Sequence, residues 1–103
     1  MTEYMYIFVR TDIPVAYQMV QVGHATFEAG KKFSPAIHPH FVLLPTANQE
    51  ELLKLAVKLE DNNIEFVMFH EPDNDTGYTA LATKPISGDD RSMFKRYKTH
   101  KPV

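Results

Sequence analysis

The chain has 103 residues, of which 44% are hydrophobic and 23% charged, and its formal net charge is −2. This length allows one domain with a single core, so we treat residues 1–103 as one domain. No stretch approaches the roughly 20 apolar residues that span a bilayer, so a membrane partner is not expected. The sequence contains no cysteine, which excludes a thiol nucleophile and fits a reducing, cytoplasmic environment. A nucleic acid would have to bind a local positive surface, because the overall charge does not attract it.

The first half of the chain predicts a strand, a helix and a second strand. Residues 3–10 are predicted to form a strand, and within it residues 4–9 are an unbroken apolar and aromatic run, which is typical of an interior strand covered on both faces. Thr11 and Asp12 are residues that begin helices, and the helix is expected to run to about Lys32. Two prolines make residues 34–39 a loop. Residues 40–44 are then a short apolar strand.

The second half predicts a helix, a strand pair and a short final helix. Apolar residues at spacings of three and four favour a helix that lies on a sheet and ends near residue 62. A turn rich in Pro, Asp, Asn and Gly separates two further apolar runs, which suggests a hairpin. The predicted segments are a helix from about 48 to 62, strands at 64–69 and 78–83, and a short helix after residue 88 that carries Met93, Phe94 and Tyr97.

The element order β-α-β-α-β-β-α predicts an α/β fold. We expect a single-domain three-layer sandwich with a four-stranded mixed sheet and helices on both faces, in which the hairpin adds one antiparallel strand. In open α/β sheets, ligands bind beyond the carboxyl ends of the parallel strands. Arg10 and Asp12 follow the first strand, Glu71 follows the third, and the turn brings Thr79 close, so a cleft is expected at this edge.

One narrow polar stripe runs along the first predicted helix. Its members are spaced by four, three and four residues and fall within roughly 60° of one another. Most of the surrounding helix is apolar or small, so the stripe has two interpretations. It is either the solvent side of an amphipathic helix or a polar strip that faces a cleft. The stripe consists of Tyr17, Gln21, His24 and Glu28.

Several other polar groupings are weak signals. His38 and His40 form an H-x-H pair, but surface histidines explain it better than a metal site, and Asp73 and Asp75 are better explained as turn formers. With no phosphate loop, nucleophile elbow or zinc-binding helix pair, no metal and no cofactor are predicted. A basic, aromatic C-terminal segment suits either phosphate contacts and base stacking or a last helix with cations at its C-terminal end. Its basic residues are Arg91, Lys95, Arg96, Lys98, His100 and Lys101.

Four short motifs resemble type 2 peptidyl-tRNA hydrolases. The segments RTDI at 10–13 and QVGHA at 21–25 resemble the R-x-D-L and A-Q-C-S-H-A signatures of that family. The segments EPD at 71–73 and TALATKP at 79–85 lie where the family has its acidic loop and its T-V-L-G-I-G-P strand. The resemblance covers nearly the whole chain and is closer still to the small peptidyl-tRNA hydrolase domain-containing proteins.

This resemblance implies a Rossmann-like fold, often dimeric, that cleaves the ester between a peptide and tRNA without a metal. It implies tRNA or peptidyl-tRNA and a homodimer as partners, with Arg10 as the cation that stabilises developing negative charge. Tyr17 stands where the family has a lysine, so weak hydrolysis or a non-catalytic tRNA- or protein-binding module are the alternatives. The implied catalytic residues are His24, Glu71 and Thr79, and the implied substrate-binding residues are Arg10, Asp12, Tyr17 and Gln21.

Overall fold

Four strands and two α-helices make up the part of the chain that the structure describes, residues 2–97 of a computed structural model. A 3₁₀ turn, Asp73–Asp75, joins the last two strands, and a 3₁₀ segment, Gly88–Phe94, follows them. The longer elements are β1 (Tyr4–Arg10), α1 (Val15–Phe33), β2 (His40–Thr46), α2 (Gln49–Asp61), β3 (Phe66–Glu71) and β4 (Gly77–Thr83).

The strands form one mixed sheet in the order β2-β1-β4-β3. β1 pairs in parallel with β2 and antiparallel with β4, and β4 pairs antiparallel with β3. The prediction of an interior first strand is confirmed, because residues 5–9 are buried between strands and helices on both faces. The single antiparallel strand, β4, lies in the middle of the sheet and not at its edge.

Each face of the sheet has its own core. α1 covers one face with small residues such as Ala25 and Ala29, which pack on Ile7 and Val9 of β1. α2 and Phe94 cover the other face, where Leu52 and Leu59 meet Phe8 and Leu81. The predicted α/β sandwich with helices on both faces is therefore confirmed.

The boundaries of three elements differ most from the sequence prediction. β3 begins at Phe66 and not at residue 64, and it continues to Glu71, which puts that carboxylate on the last residue of the strand. β2 continues through Pro45 to Thr46, because an edge strand tolerates a residue without an N–H donor. α1 begins at Val15, after Pro14, and no side chain caps it.

The predicted final helix is a 3₁₀ segment, Gly88–Phe94, and not an α-helix. Phe94 anchors it by stacking on Tyr6, with ring centroids 3.9 Å apart. Of the basic segment, Lys98, His100 and Lys101 lie outside the described residues.

The hairpin between β3 and β4 depends on Gly77, where the backbone takes a φ of +83°. This conformation is open to glycine and strained for other residues. The Gln49 side chain lies against the same residue and accepts a hydrogen bond from the Tyr78 backbone N–H at 2.7 Å. A Cβ at position 77 would collide with the Gln49 amide. Because residue 77 has no Cβ, the Gln49 side chain of α2 can reach the Tyr78 N–H and bind the start of β4.

We expect Gly77→Ala to lower the free energy of unfolding by about 2–3 kcal/mol, of which about 1–2 is backbone strain and about 1 is the displaced Gln49 hydrogen bond. Gly88→Ala is the matched control, since Gly88 has a φ of +66° but a Cβ there meets nothing within 4 Å. Urea denaturation of both variants makes the comparison. Equal losses at the two positions would show that Gln49 contributes nothing.

Candidate functional site

The candidate site is organised by the fully buried side chain of Gln21, which reaches from α1 to the end of β3 and the beginning of β4. Its amide Nε2 donates to Glu71 Oε1 at 2.9 Å, and its Oε1 accepts from the Thr79 hydroxyl at 2.6 Å. Since the hydroxyl proton of Thr79 goes to the amide oxygen, the amide nitrogen must face the carboxylate. Three residues that are distant in sequence therefore form one fixed chain of hydrogen bonds.

Glu71 is held as a carboxylate at the partly exposed end of this chain. Its Oε2 accepts from the Asp73 backbone N–H at 3.4 Å. The hydrogen bond from Gln21 lowers the pKa of Glu71; desolvation opposes this effect, and the Asp73 N–H, Tyr17 and nearby His24 add to it. Because its pKa is lower in the folded than in the unfolded chain, Glu71 stabilises the fold at neutral pH, and this contribution is lost as the pH falls through the folded pKa.

Tyr17 stands beside Glu71 as a neutral hydrogen-bond donor. Desolvation and a hydrogen bond to Glu71 raise the pKa of the Tyr17 hydroxyl above its ordinary value. The ring also lines an open, mostly apolar depression of about 580 Å³ together with Pro14, Ala16, Val20 and Asn74. A ligand here would meet an apolar wall and the Tyr17 side chain.

His24 lies about two helical turns beyond Tyr17 along α1 and is exposed. Its imidazole stacks on the Phe69 ring, with centroids 4.2 Å apart and planes 9° from parallel. It also interacts electrostatically with Glu71. Phe69 therefore fixes a solvent-accessible histidine at the rim of the site. Sequence reasoning did not single out Phe69, because an aromatic residue within an apolar strand carries no functional signal.

Arg10 and Asp12 form a clamp at the end of β1. Arg10 Nε and Nη2 donate to the two carboxylate oxygens of Asp12, each at 2.9 Å. Its Nη1 donates to the backbone carbonyls of Thr76 and Tyr78. The hydrogen bond from Arg10 is the main cause that lowers the pKa of Asp12. The guanidinium thus ties β1 to the hairpin, and its charge is balanced by Asp12.

The sequence allowed the polar stripe of α1 to face either solvent or a cleft, and the structure shows that its residues do not all face the same way. Gln21 is buried and Tyr17 half-buried, both toward the sheet, whereas His24 is exposed at the rim. Glu28 lies outside the hydrogen-bonded group and pairs with Lys31 at 3.6 Å. The structure brings together Tyr17, Gln21, His24, Glu71 and Thr79, with Arg10 and Asp12 beside them.

Within residues 2–97, no three histidine or acidic side chains are close enough to hold a metal ion. His38 and His40 lie near the amino ends of β1 and β2, where His40 packs on Tyr4 and His38 on Phe41. Over the same residues, no helix has the length and apolar character needed to cross a membrane.

Comparisons with known proteins identify the fold. The chain is similar to the solved structure of a protein of unknown function, Atu0240, from Agrobacterium tumefaciens strain C58, with a TM-score of 0.73 and 12% sequence identity. The match covers 98% of this chain and 99% of that one. No protein-family model matches, and no curated protein matches the sequence. At this identity the likeness establishes the α/β architecture alone.

Arg10→Met should lower the free energy of unfolding by about 2–4 kcal/mol, because it removes several charged hydrogen bonds from a group that is nine-tenths buried. Lys54→Met is the control: Lys54 is exposed and pairs only with surface glutamates, so its loss should cost under about 0.5 kcal/mol. Urea denaturation measures both. An Arg10→Met variant as stable as the control would rule out the clamp.

Proposed function

We propose that this protein is a peptidyl-tRNA hydrolase-like enzyme that acts in the cytoplasm and hydrolyses the ester between a peptide and tRNA. One observation carries the proposal: a carboxylate, Glu71, is held in a fixed direction by buried Gln21 at the open edge of the sheet, beside His24. The motifs that resemble type 2 peptidyl-tRNA hydrolases include every residue of this arrangement. A tRNA and a second copy of the chain are the proposed partners.

Glu71 is the general base of the proposed reaction. It accepts a proton from a water molecule as the water oxygen attacks the ester carbonyl carbon. The new C–O bond gives a tetrahedral intermediate, which collapses by breaking the ester bond. The proton held by Glu71 then passes to the departing 3′ oxygen of the tRNA. The products are a free peptide carboxyl group and an intact 3′ hydroxyl.

The other residues have distinct roles in this proposal. Thr79 is a positioning residue, because its hydroxyl is fully buried and donates to Gln21 and not to solvent. Arg10 holds the edge together through Asp12 and the hairpin carbonyls. His24 and Tyr17 are the polar side chains at the rim that contact substrate. The apolar depression beside Tyr17 accommodates part of the peptide.

Turnover should be slow for a physical reason. The contacts that keep Glu71 ionised also lower its basicity, and a general base is most effective when its pKa is near the working pH. Tyr17 stands at the position where the resembled family has a lysine, so it offers a donor without a positive charge. Loss of one such stabilising group commonly costs about 10²–10³ in rate.

A non-catalytic module that binds tRNA is the second candidate. Tyr17 in place of the lysine of the resembled family and the lowered pKa of Glu71 favour it over fast hydrolysis. Such a module would bind tRNA with an affinity that falls steeply with salt, whether or not the peptide ester is present.

The test is hydrolysis of a peptidyl-tRNA by purified protein. Wild type should release peptide, and Glu71→Gln should reduce the rate by about 10²-fold, because the amide cannot accept the proton. Glu50→Gln is the matched control: Glu50 is an exposed residue of α2, on the opposite face of the sheet, and its replacement should leave the rate unchanged.

Release by wild type that Glu71→Gln does not reduce would contradict the mechanism. If tRNA binds in a salt-sensitive way but no peptide is released, the protein is a tRNA-binding module and not a hydrolase. Failure to bind tRNA or peptidyl-tRNA at low salt would remove both candidates.

A further inference from the structure

β3 is an edge strand, and among residues 2–97 no strand pairs with its outer side, the side that faces away from β4. Its sequence, FVMFHE, contains no proline and no lysine, which are residues that protect exposed edges. β2, the other edge strand, includes Pro45, which has no N–H to donate. The register shift between β3 and β4 makes Thr79 the extra residue, so β3 itself is regular. The outer side of β3 is therefore a template for another extended chain.

One hydrogen bond shows which backbone groups of β3 face outward. The Lys84 N–H donates to the Glu65 carbonyl at 2.9 Å, so the backbone groups of residue 65 face β4. The backbone groups of successive residues in a strand point alternately to its two sides. Those of Phe66, Met68 and His70 therefore face outward, where an added strand can pair with them.

Such pairing would end beside Glu71, the last residue of β3. The next residue is Pro72, which has no N–H. Consider a peptide that is parallel to β3 and has its last residue opposite Glu71. The N–H of that last residue donates to the His70 carbonyl, whereas its carbonyl meets no donor from β3. In a peptidyl-tRNA this unpaired carbonyl is the esterified one, so it stays free to react.

The position of the ester carbonyl suits attack by a water molecule on Glu71. Neighbouring strands are about 4.8 Å apart, which places the ester carbon within reach of a single water molecule held by the carboxylate. In an added strand the carbonyl lies close to the plane of the sheet, and a nucleophile approaches a carbonyl from above its plane. The Glu71 side chain lies above the sheet on the α1 face, where it bonds to Gln21. The water therefore approaches from the required direction.

α1 flanks the path of the added strand. Tyr17 forms a hydrogen bond with Glu71, and His24, further along the helix, stacks on Phe69. Residues directly opposite each other in parallel strands have their side chains on the same face of the sheet. The last and third-last side chains of the peptide would thus lie on the face of Tyr17 and His24, to which the open apolar depression also belongs.

We propose that the peptide of a peptidyl-tRNA binds as an additional parallel strand on the outer side of β3, with its esterified residue opposite Glu71. Pairing of this kind recognises the peptide backbone, so it suits substrates that share an extended chain and a terminal ester but no sequence. The identity of the ligand rests on the proposed function, whereas the outward direction of the β3 backbone groups does not.

Backbone N-methylation of the substrate tests the pairing and leaves the protein unchanged. The substrates are peptidyl-tRNAs that carry N-acetyl tetrapeptides of one sequence. N-methylation of the third-last residue should lower kcat/KM by about 10-fold, because its hydrogen bond to the Met68 carbonyl is lost. N-methylation of the second-last residue is the matched control, since that N–H faces away from β3. Equal effects at the two positions, or no effect at either, would overturn the proposal.

Amide hydrogen exchange tests the binding mode separately from catalysis. The probe is the same N-acetyl tetrapeptide joined through an amide to 3′-amino-3′-deoxyadenosine, which contains no ester. Excess probe should slow exchange of the Met68 and His70 N–H groups by about 10-fold or more, because they become paired. Val67 and Phe69, whose N–H groups face β4, are the controls and should not change.

The exchange data also distinguish the other outcomes. Unchanged exchange at Met68 and His70 would overturn the proposal. Slow exchange there in the free protein, together with the mass of a dimer, would show that a second copy occupies β3, and it would overturn the proposal too. Probe-dependent slowing in a protein that releases no peptide would support the binding mode and refute the proposed hydrolysis.

Met68→Pro tests the edge from the protein side. Proline is tolerated where the N–H of an edge strand faces outward, and it removes that donor. The variant should raise KM for the tetrapeptidyl-tRNA by about 10-fold and leave KM for an N-acetyl-aminoacyl-tRNA unchanged, because a single residue does not reach Met68.

Phe41→Pro is the matched control for Met68→Pro. The His40 N–H donates to the Glu3 carbonyl, so the Phe41 N–H faces outward from the opposite edge of the sheet. This variant should leave KM for both substrates unchanged. An equal rise in KM for the two substrates in Met68→Pro, or no rise for either, would contradict pairing along β3.

Discussion

The buried amide of Gln21 is the interaction on which the site depends. A buried glutamine must satisfy both its donor and its acceptor, and each unsatisfied group costs roughly 1–3 kcal/mol. Thr79 from β4 and Glu71 from β3 meet these requirements, so α1 cannot shift along the sheet without leaving a polar group unpaired. The same requirement that fixes the helix on the sheet therefore fixes the direction of the carboxylate.

The rest of the edge supports this arrangement from two sides. The Arg10 guanidinium joins the end of β1 to the carbonyls of Thr76 and Tyr78. From α2, Gln49 holds the Tyr78 N–H, and Gly77 makes room for it. The hairpin that carries Glu71 and Thr79 is thus held from both faces of the sheet. Stability and the candidate site share the same contacts, so variants at this edge should affect both.

The sequence was sufficient for the architecture because the relevant signals are local and periodic. The apolar run of β1 and the apolar spacing of α2 depend on neighbouring residues, and both elements were predicted correctly. Long-range contacts were harder to predict from the sequence. The sequence alone does not reveal that the Arg10 guanidinium donates to carbonyls of the hairpin, because those acceptors are backbone atoms. Nor does it show that Met19, Val20 and Phe27 of α1 are exposed, because these residues also suit a buried helix.

The measurement that tests the central claim most directly is an NMR pH titration of the Glu71 side-chain carboxyl carbon in wild type and in Gln21→Leu. If the Gln21 amide holds the carboxylate, the wild-type pKa lies below the ordinary glutamate value and rises when the amide is removed. A wild-type pKa at or above the ordinary value, or one that Gln21→Leu leaves unchanged, would contradict the account.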